Sequence, residues 1–204
     1  MTQTNPYIPD SEASLRLVRD FPLASLYFNH AGVNHIMPVP FIYRDSEKIF
    51  LGHTPRRNIP DGLKEINAIA HFQGPNAYVS ARWYTKQYPV PTWNFVEVNI
   101  EGKLTVTQEL GEIEQILQES ADTFDGGARI QNPWRLSELP ADYKSKLIGI
   151  IVGLKMVPEQ INGYMKLDQH QTQEDQEAVI ASLRFHGSPN SLLIADLMEK
   201  NLRK

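Results

Sequence analysis

Seven of the 19 aromatic residues, Phe72, Tyr78, Trp83, Tyr84, Tyr88, Trp93 and Phe95, fall within residues 71–95, several times what an even scatter would place there. Pro75, Pro89 and Pro91 punctuate the same window, keep its backbone extended and remove N–H donors. Rings on a stretch with few competing donors suit a flat, partly apolar ligand such as a flavin, a haem or a nucleobase. The same rings would equally well fill a barrel core and a dimer seam. Four cations could reach an anionic group on such a ligand. They are Arg56 and Arg57 in His53-Thr-Pro-Arg-Arg-Asn58, Arg82 beside Ser80, and Lys166 in Met165-Lys-Leu-Asp168. Each lies at a predicted strand end or loop, where a long side chain can meet a phosphate. The dinucleotide fingerprint and the P-loop are both absent, and Gly126-Gly127 reads only as a helix terminator. Side chains, not a glycine-rich loop, would therefore hold any phosphate.

The six histidines, His30, His35, His53, His71, His170 and His186, show no metal-ligand spacing. His30 and His35 flank a predicted hairpin turn, where exposed turn residues are the ordinary reading. His53 and His71 sit near predicted strand ends and could meet across a sheet or touch a ligand. There is no Gly-x-Ser-x-Gly elbow, and Ser80 has no base and acid partners in its neighbourhood, which argues against a hydrolytic triad.

The elements that must position these residues belong to a chain of 204 residues with 41% apolar and 22% charged content. That is ordinary globular composition, enough for one domain over residues 1–204 with a sizeable core. The net charge of −4 argues against a broad nucleic-acid footprint, which needs clustered Lys and Arg. The absence of cysteine removes disulfide scaffolds, thiolate metal sites and Cys nucleophiles. The first residues show no secretory pattern, and the longest apolar run, Leu147 to Leu154, is far short of a membrane helix. The expectation is a soluble, cytoplasmic protein with no membrane partner.

A short helix is predicted over Ser11–Asp20, capped by Asp10 or Ser11, with Leu15, Leu17 and Val18 on one side. Short apolar runs follow at Leu23–Phe28, Ile36–Tyr43, Lys48–Gly52, Asn67–Phe72, Ala77–Ser80 and Thr92–Ile100, with turn residues between them. They read as antiparallel strands of a sandwich or barrel. Thr107–Asp122 is a predicted helix with Leu110, Ile113, Leu117 and Ala121 as its apolar stripe and Glu109, Glu112, Glu114 and Glu119 facing water. A helix over Pro140–Lys146 leads into a buried strand at Ile148–Val157, and helices over Glu174–Phe185 and Ser188–Leu202 fill the C-terminal region from about 172 to 204. The fold class is α+β, an antiparallel β-barrel with peripheral helices.

Several motifs together resemble one family. Phe72-Gln-Gly-Pro-Asn-Ala-Tyr-Val-Ser80, Trp83-Tyr84, Val90-Pro-Thr-Trp-Asn-Phe95 and Gly102-Lys103 are similar to the PaiB-like family of FMN-binding negative transcriptional regulators. Tyr7-Ile-Pro9, His53, Asn58, Pro133-Trp134, Lys166-Leu167 and Gln169 extend the resemblance over nearly the whole chain. It implies the split barrel of flavin reductases and pyridoxamine-phosphate oxidases, and a homodimer with FMN at its interface. It also implies that Tyr78, Ser80, Trp83, Tyr84, Thr92, Trp93 and Asn94 lie nearest the cofactor, with His53, Asn58 and Lys166 as polar partners. The chain departs from the family at Ile59, Asp168 and His170, where Pro, Ser and Asn are usual, and at Arg82, which would be a local phosphate donor or a surface substitution.

Three functions follow from the resemblance and the residues. The first is a flavin-binding regulator whose partner is DNA or a regulatory protein. No helix-turn-helix is visible and the Thr107–Asp122 helix is too acidic for a groove, which favours a protein or metabolite route. The second is an FMN-dependent oxidoreductase, in which the cofactor carries the electrons and the protein supplies position; no acid–base pair in the sequence names its substrate or a catalytic residue. The third is haem binding through His53, His71, His170 or His186.

Overall fold

The computed structural model describes residues 7–203. Residues 1–6, on which the reading of no secretory pattern falls, and residue 204 lie outside the described residues. In chain order the elements are α1 (Ser11–Asp20), β1 (Leu23–His30), β2 (Val33–Pro40), β3 (Ile42–Arg44), β4 (Ile49–Pro55), β5 (Glu65–Val79) and β6 (Thr92–Thr107). Then come α2 (Leu110–Gly127), α3 (Ala141–Gly149), β7 (Ile151–Lys166), α4 (Gln173–His186) and α5 (Pro189–Leu202). The strands form one antiparallel sheet in the order β2-β1-β5-β6-β7-β4-β3.

The chain divides into two compact units. The first holds residues 7–20, 73–98 and 162–203, and the second holds residues 21–72 and 99–161. The long strands β5, β6 and β7 each contribute residues to both.

In the second unit, β1 and β2 pair in full register from Leu23↔Pro40 to His30↔Val33 around the two-residue turn Ala31-Gly32. Both turn residues have positive φ, the geometry a tight hairpin needs. His30 and His35 flank this turn as expected, with His35 stacked on Phe28 at 4.9 Å. β4 pairs with β7 from Phe50↔Met156 to Pro55↔Ile151. Ile42, Ile49, Leu51 and Ile116 form one apolar cluster, and Ile113, Ile148 and Ile151 another. In the first unit, Asp10 caps α1 by accepting from the Ala13 N–H at 2.6 Å. Leu15, Leu17 and Val18 of that helix are buried as its spacing predicts. Thr172 and Ser188 cap α4 and α5 in the same manner, and Gly187 closes α4 in the left-handed conformation.

Four expectations are corrected. The apolar run at Leu147–Leu154 is no single strand: Leu147 to Gly149 close α3, and β7 begins at Ile151. The run is apolar throughout because Ile148 of the helix and Ile151 of the strand meet in one cluster. Strand β7 then continues to Lys166, well past Val157, across a polar stretch that lacks a buried-strand pattern. The runs Asn67–Phe72 and Ala77–Ser80 are one strand, β5, passing through Gly74-Pro75. Pro75 lies beyond Phe72, the last residue paired with β1, so its missing N–H costs no bond on that side. Finally, α2 starts at Leu110, because Thr107 still belongs to β6 and Glu109 is the cap, accepting from Glu112 N–H at 2.6 Å. Its buried positions are Ile113, Ile116 and Ser120, while Leu110 is exposed. Its acids are ion-paired instead of merely solvated: Glu119 to Arg44 at 2.7 Å, Glu114 to Lys144 at 3.1 Å and Glu112 to Lys155 at 3.8 Å.

Candidate functional site

Strands β5 and β6 are neighbours in the sheet, which sets their aromatic residues side by side in the first unit. Tyr78 and Trp93 pack at a centroid distance of 6.0 Å with planes tilted by 57°, and each is half exposed. The Trp93 indole N–H donates to Asn76 Oδ1 at 3.2 Å, which fixes the ring's direction. Strand β7 follows β6 in the sheet, so its terminal residue, Lys166, reaches the start of β6. The Lys166 ammonium donates to the Thr92 hydroxyl and to the Trp93 carbonyl, the latter at 2.8 Å. Lys166 is partly buried and has no carboxylate partner among the described residues. A positive charge held by two neutral oxygens beside a half-exposed ring pair is suited to an anionic group on a flat ligand.

The remaining candidates of this unit lie close in sequence but engage other partners. Ser80 caps a single 3₁₀ turn at Ala81–Trp83 by accepting from the Arg82 N–H at 3.2 Å. The Arg82 side chain is exposed, with no ion pair among the described residues, so it is free to serve a phosphate. Trp83 faces α4, where it lines a shallow cleft with Phe185 and His186. The Tyr84 ring is buried, and its hydroxyl donates to Asp168 Oδ2 at 2.9 Å. Burial and then this hydrogen bond push the Tyr84 phenol well above the usual tyrosine range. Asn94 is fully buried, with Nδ2 against Met198 sulfur at 3.5 Å and Oδ1 unpartnered.

His53 and Asn58 belong to the second unit. His53 lies on β4 opposite Gly153 of β7, with its Nδ1 buried and unpartnered. That burial lowers its pKa from the ordinary histidine value. Asn58 ends a 3₁₀ turn and donates to Thr54 Oγ1 at 3.0 Å, and Arg56 of the same turn donates to Gln108 at 2.5 Å. His71 lies on β5, separated from β4 in the sheet by β6 and β7, and is tied to Asn99 at 2.8 Å, so it does not pair with His53. No group of three or more metal-ligating side chains occurs among the described residues.

Two buried carboxylates were not singled out as site residues by the sequence. Asp168, read there only as a departure from the family, is wholly buried and adopts φ +59°. Its Oδ2 serves Tyr84 and its Oδ1 is unpartnered. Asp175 accepts through Oδ1 from the Thr85 N–H at 2.8 Å, the Thr85 hydroxyl at 2.9 Å and the Lys86 N–H at 3.2 Å. Burial acts to raise its pKa, but these hydrogen bonds outweigh it and hold the carboxyl below its ordinary value. Thr172 and Asp175 would mark a helix start in any sequence, and nothing local shows that the carboxylate is spent on a loop 90 residues away.

The donor set fits FMN in kind. Lys166 and Arg82 offer cationic donors, Trp93 and Tyr78 offer exposed ring faces, and Thr92 and Ser80 offer hydroxyls, all in one unit.

Residues 1–160 match the family described as "Putative FMN-binding domain". The chain is 32% identical over 175 residues, 82% of this chain and 80% of the relative, to the Bacillus subtilis "Protease synthase and sporulation protein PAI 2". Among solved structures, the flavocytochrome Anf3 from Azotobacter vinelandii superposes with a TM-score of 0.58 at 14% identity, covering 83% of this chain and 73% of that one. A FAD and heme binding protein from Mycobacterium smegmatis gives 0.56 at 13% identity, covering 84% and 78%. At such identities the likeness is one of fold, the antiparallel split barrel.

Proposed function

We propose, because the chain belongs to the FMN-binding family that it matches over residues 1–160, that it carries FMN as a regulatory protein, with Lys166 as the phosphate-holding group. FMN is the cofactor this family assignment supplies; when bound it brings one- and two-electron redox chemistry that no side chain provides. The observation that carries the reading is Lys166 itself. Its ammonium is partly buried, held by the Thr92 hydroxyl and Trp93 carbonyl, and unmatched by any carboxylate among the described residues. A charge left in that state is stabilised by an anion, and Trp93 and Tyr78 beside it offer apolar faces to a planar ring.

In this reading Ser80 and Arg82 add further donors from the turn after β5, and Trp83 flanks them. Tyr84 and Asn94 act from behind, since one is bonded to Asp168 and the other is fully buried. His53 and Asn58 belong to the second unit and are not part of this first-unit donor set. The regulatory role rests on the resemblance of the 72–103 motifs to the PaiB-like family of regulators and works through a protein or metabolite partner. The ion pairs that neutralise Glu112, Glu114 and Glu119 on α2 support that route, because this helix offers no basic face to a nucleic-acid groove. The protein is proposed to act in the cytoplasm as a homodimer.

The test is a fluorescence titration of the purified chain with FMN. Saturable quenching at about one flavin per chain, weakened about tenfold or more by Lys166→Gln, supports the reading. Binding that Lys166→Gln leaves unchanged contradicts it. For the regulatory branch, sequence-specific DNA binding that survives physiological salt contradicts an indirect route.

A further inference from the structure

Away from the FMN candidates, the first unit holds a cavity of about 310 Å³ built by three elements. From α1 come Ala13, Arg16, Leu17 and Asp20, at the spacing of one helical side. From the end of β7 comes Met165, and from the bend and turn beyond it come Leu167 and Gln169. From α5 come Leu197, Lys200 and Asn201, again one helical side. Its volume falls within the range of small-molecule sites, and none of its lining residues belongs to the proposed FMN set.

The lining is divided by chemistry. Leu17, Met165, Leu167 and Leu197 make an apolar part. Gln169 stiffens it, accepting from the Leu167 N–H at 2.7 Å and donating to the Met165 carbonyl at 2.5 Å. The polar rim carries both signs. Lys200 and Asp20 are exposed and have no hydrogen-bond or ion-pair partner among the described residues. Among the described residues Arg16 has only a loose pair with exposed Glu12 at 3.7 Å, which costs little to exchange. Asp10 is already spent on capping α1.

We infer that this cavity is a second small-molecule site that binds a free α-amino acid with an apolar side chain. The side chain lies against Leu17, Met165, Leu167 and Leu197, the carboxylate meets Lys200 and Arg16, and the ammonium meets Asp20. Charge complementarity selects the class: a fatty acid leaves Asp20 unmatched, and an amine leaves Lys200 unmatched. The site stands independently of FMN binding.

The experiment is calorimetric titration of the full-length protein with L-leucine and L-phenylalanine up to about 10 mM, alongside leucinamide and 4-methylpentanoate. Saturable binding of at least one amino acid is expected, with the amide and the acid each about tenfold weaker or worse than L-leucine. Lys200→Ala and Asp20→Asn, both at exposed positions that leave folding intact by circular dichroism, each weaken binding by a similar factor. Leu197→Trp fills the apolar part and abolishes amino-acid binding while leaving the FMN titration unchanged. Three results overturn the proposal: no saturable heat with either amino acid, equal binding of 4-methylpentanoate, or affinity indifferent to Lys200 and Asp20.

Discussion

The Tyr84 hydroxyl donates to Asp168 Oδ2 at 2.9 Å, and both side chains are buried. Among the described residues Asp168 has no other side-chain partner, and its Oδ1 is unpartnered. Tyr84→Phe therefore strands a buried carboxylate and destabilises the fold by about 1–3 kcal/mol in urea unfolding. Asp168→Asn keeps an acceptor for the hydroxyl and removes the charge, so it costs less. The raised phenol pKa adds a spectroscopic check. Stability from this bond is complete below the ordinary tyrosine value near pH 10 and is lost as pH rises through the higher folded value. Phenolate absorbance should show Tyr84 silent at pH 10 in wild type and titrating at lower pH in Asp168→Ala than in wild type, with burial alone still holding it above the ordinary tyrosine value.

Asp175 holds the loop after Tyr84 by three hydrogen bonds from Thr85 and Lys86. Its lowered pKa means that this contribution is present above the unfolded carboxyl value near pH 4 and disappears as pH falls through the lower folded value. Asp175→Asn should lower the unfolding midpoint at pH 7 and flatten the acid limb of the stability curve. Hydrogen exchange at the Thr85 and Lys86 amides should accelerate in the same variant.

His53 is held neutral by burial, so the folded chain takes up its proton less readily than the unfolded one. Its effect on stability is absent above the unfolded value near pH 6.5 and grows unfavourable as pH drops below it. The difference between wild type and His53→Gln in unfolding free energy should therefore slope between pH 7 and 5 and be flat above. A flat difference throughout would show that the ring is solvated.

Much of the fold was legible because its signals are local. The Ala31-Gly32 hairpin, the α1 apolar face and the Ser188 cap each follow from a few adjacent residues. What escaped depends on neighbours distant in sequence. The second half of β7 is polar, and only its place in the sheet makes it a strand. The run Thr92–Ile100 read as a strand that stops before Gly102, but β6 continues to Thr107 and holds Gly102 inside it, where a Cβ would collide with the Val157 carbonyl of β7. In the candidate site, the aromatic window and Lys166 stood out by type and spacing, and the structure joins Thr92, Trp93 and Lys166. The Tyr84–Asp168 bond spans 84 residues and leaves no local trace.

That close approach at Gly102 makes a direct prediction. Gly102→Ala should destabilise the protein by about 1–3 kcal/mol, because the obstacle is backbone and cannot swing aside. Gly126→Ala, where added bulk meets nothing within 4 Å, should be tolerated or mildly stabilising in the same unfolding assay.

The central claim, that Lys166 receives the phosphate of FMN, is tested most directly by comparing FMN with riboflavin on two proteins. Riboflavin keeps the ring and lacks the phosphate, so wild type should bind FMN about tenfold or more tightly than riboflavin, and Lys166→Gln should erase most of that preference while leaving riboflavin affinity nearly unchanged. Equal loss of both ligands in Lys166→Gln, or an undiminished preference for FMN, would contradict the assignment.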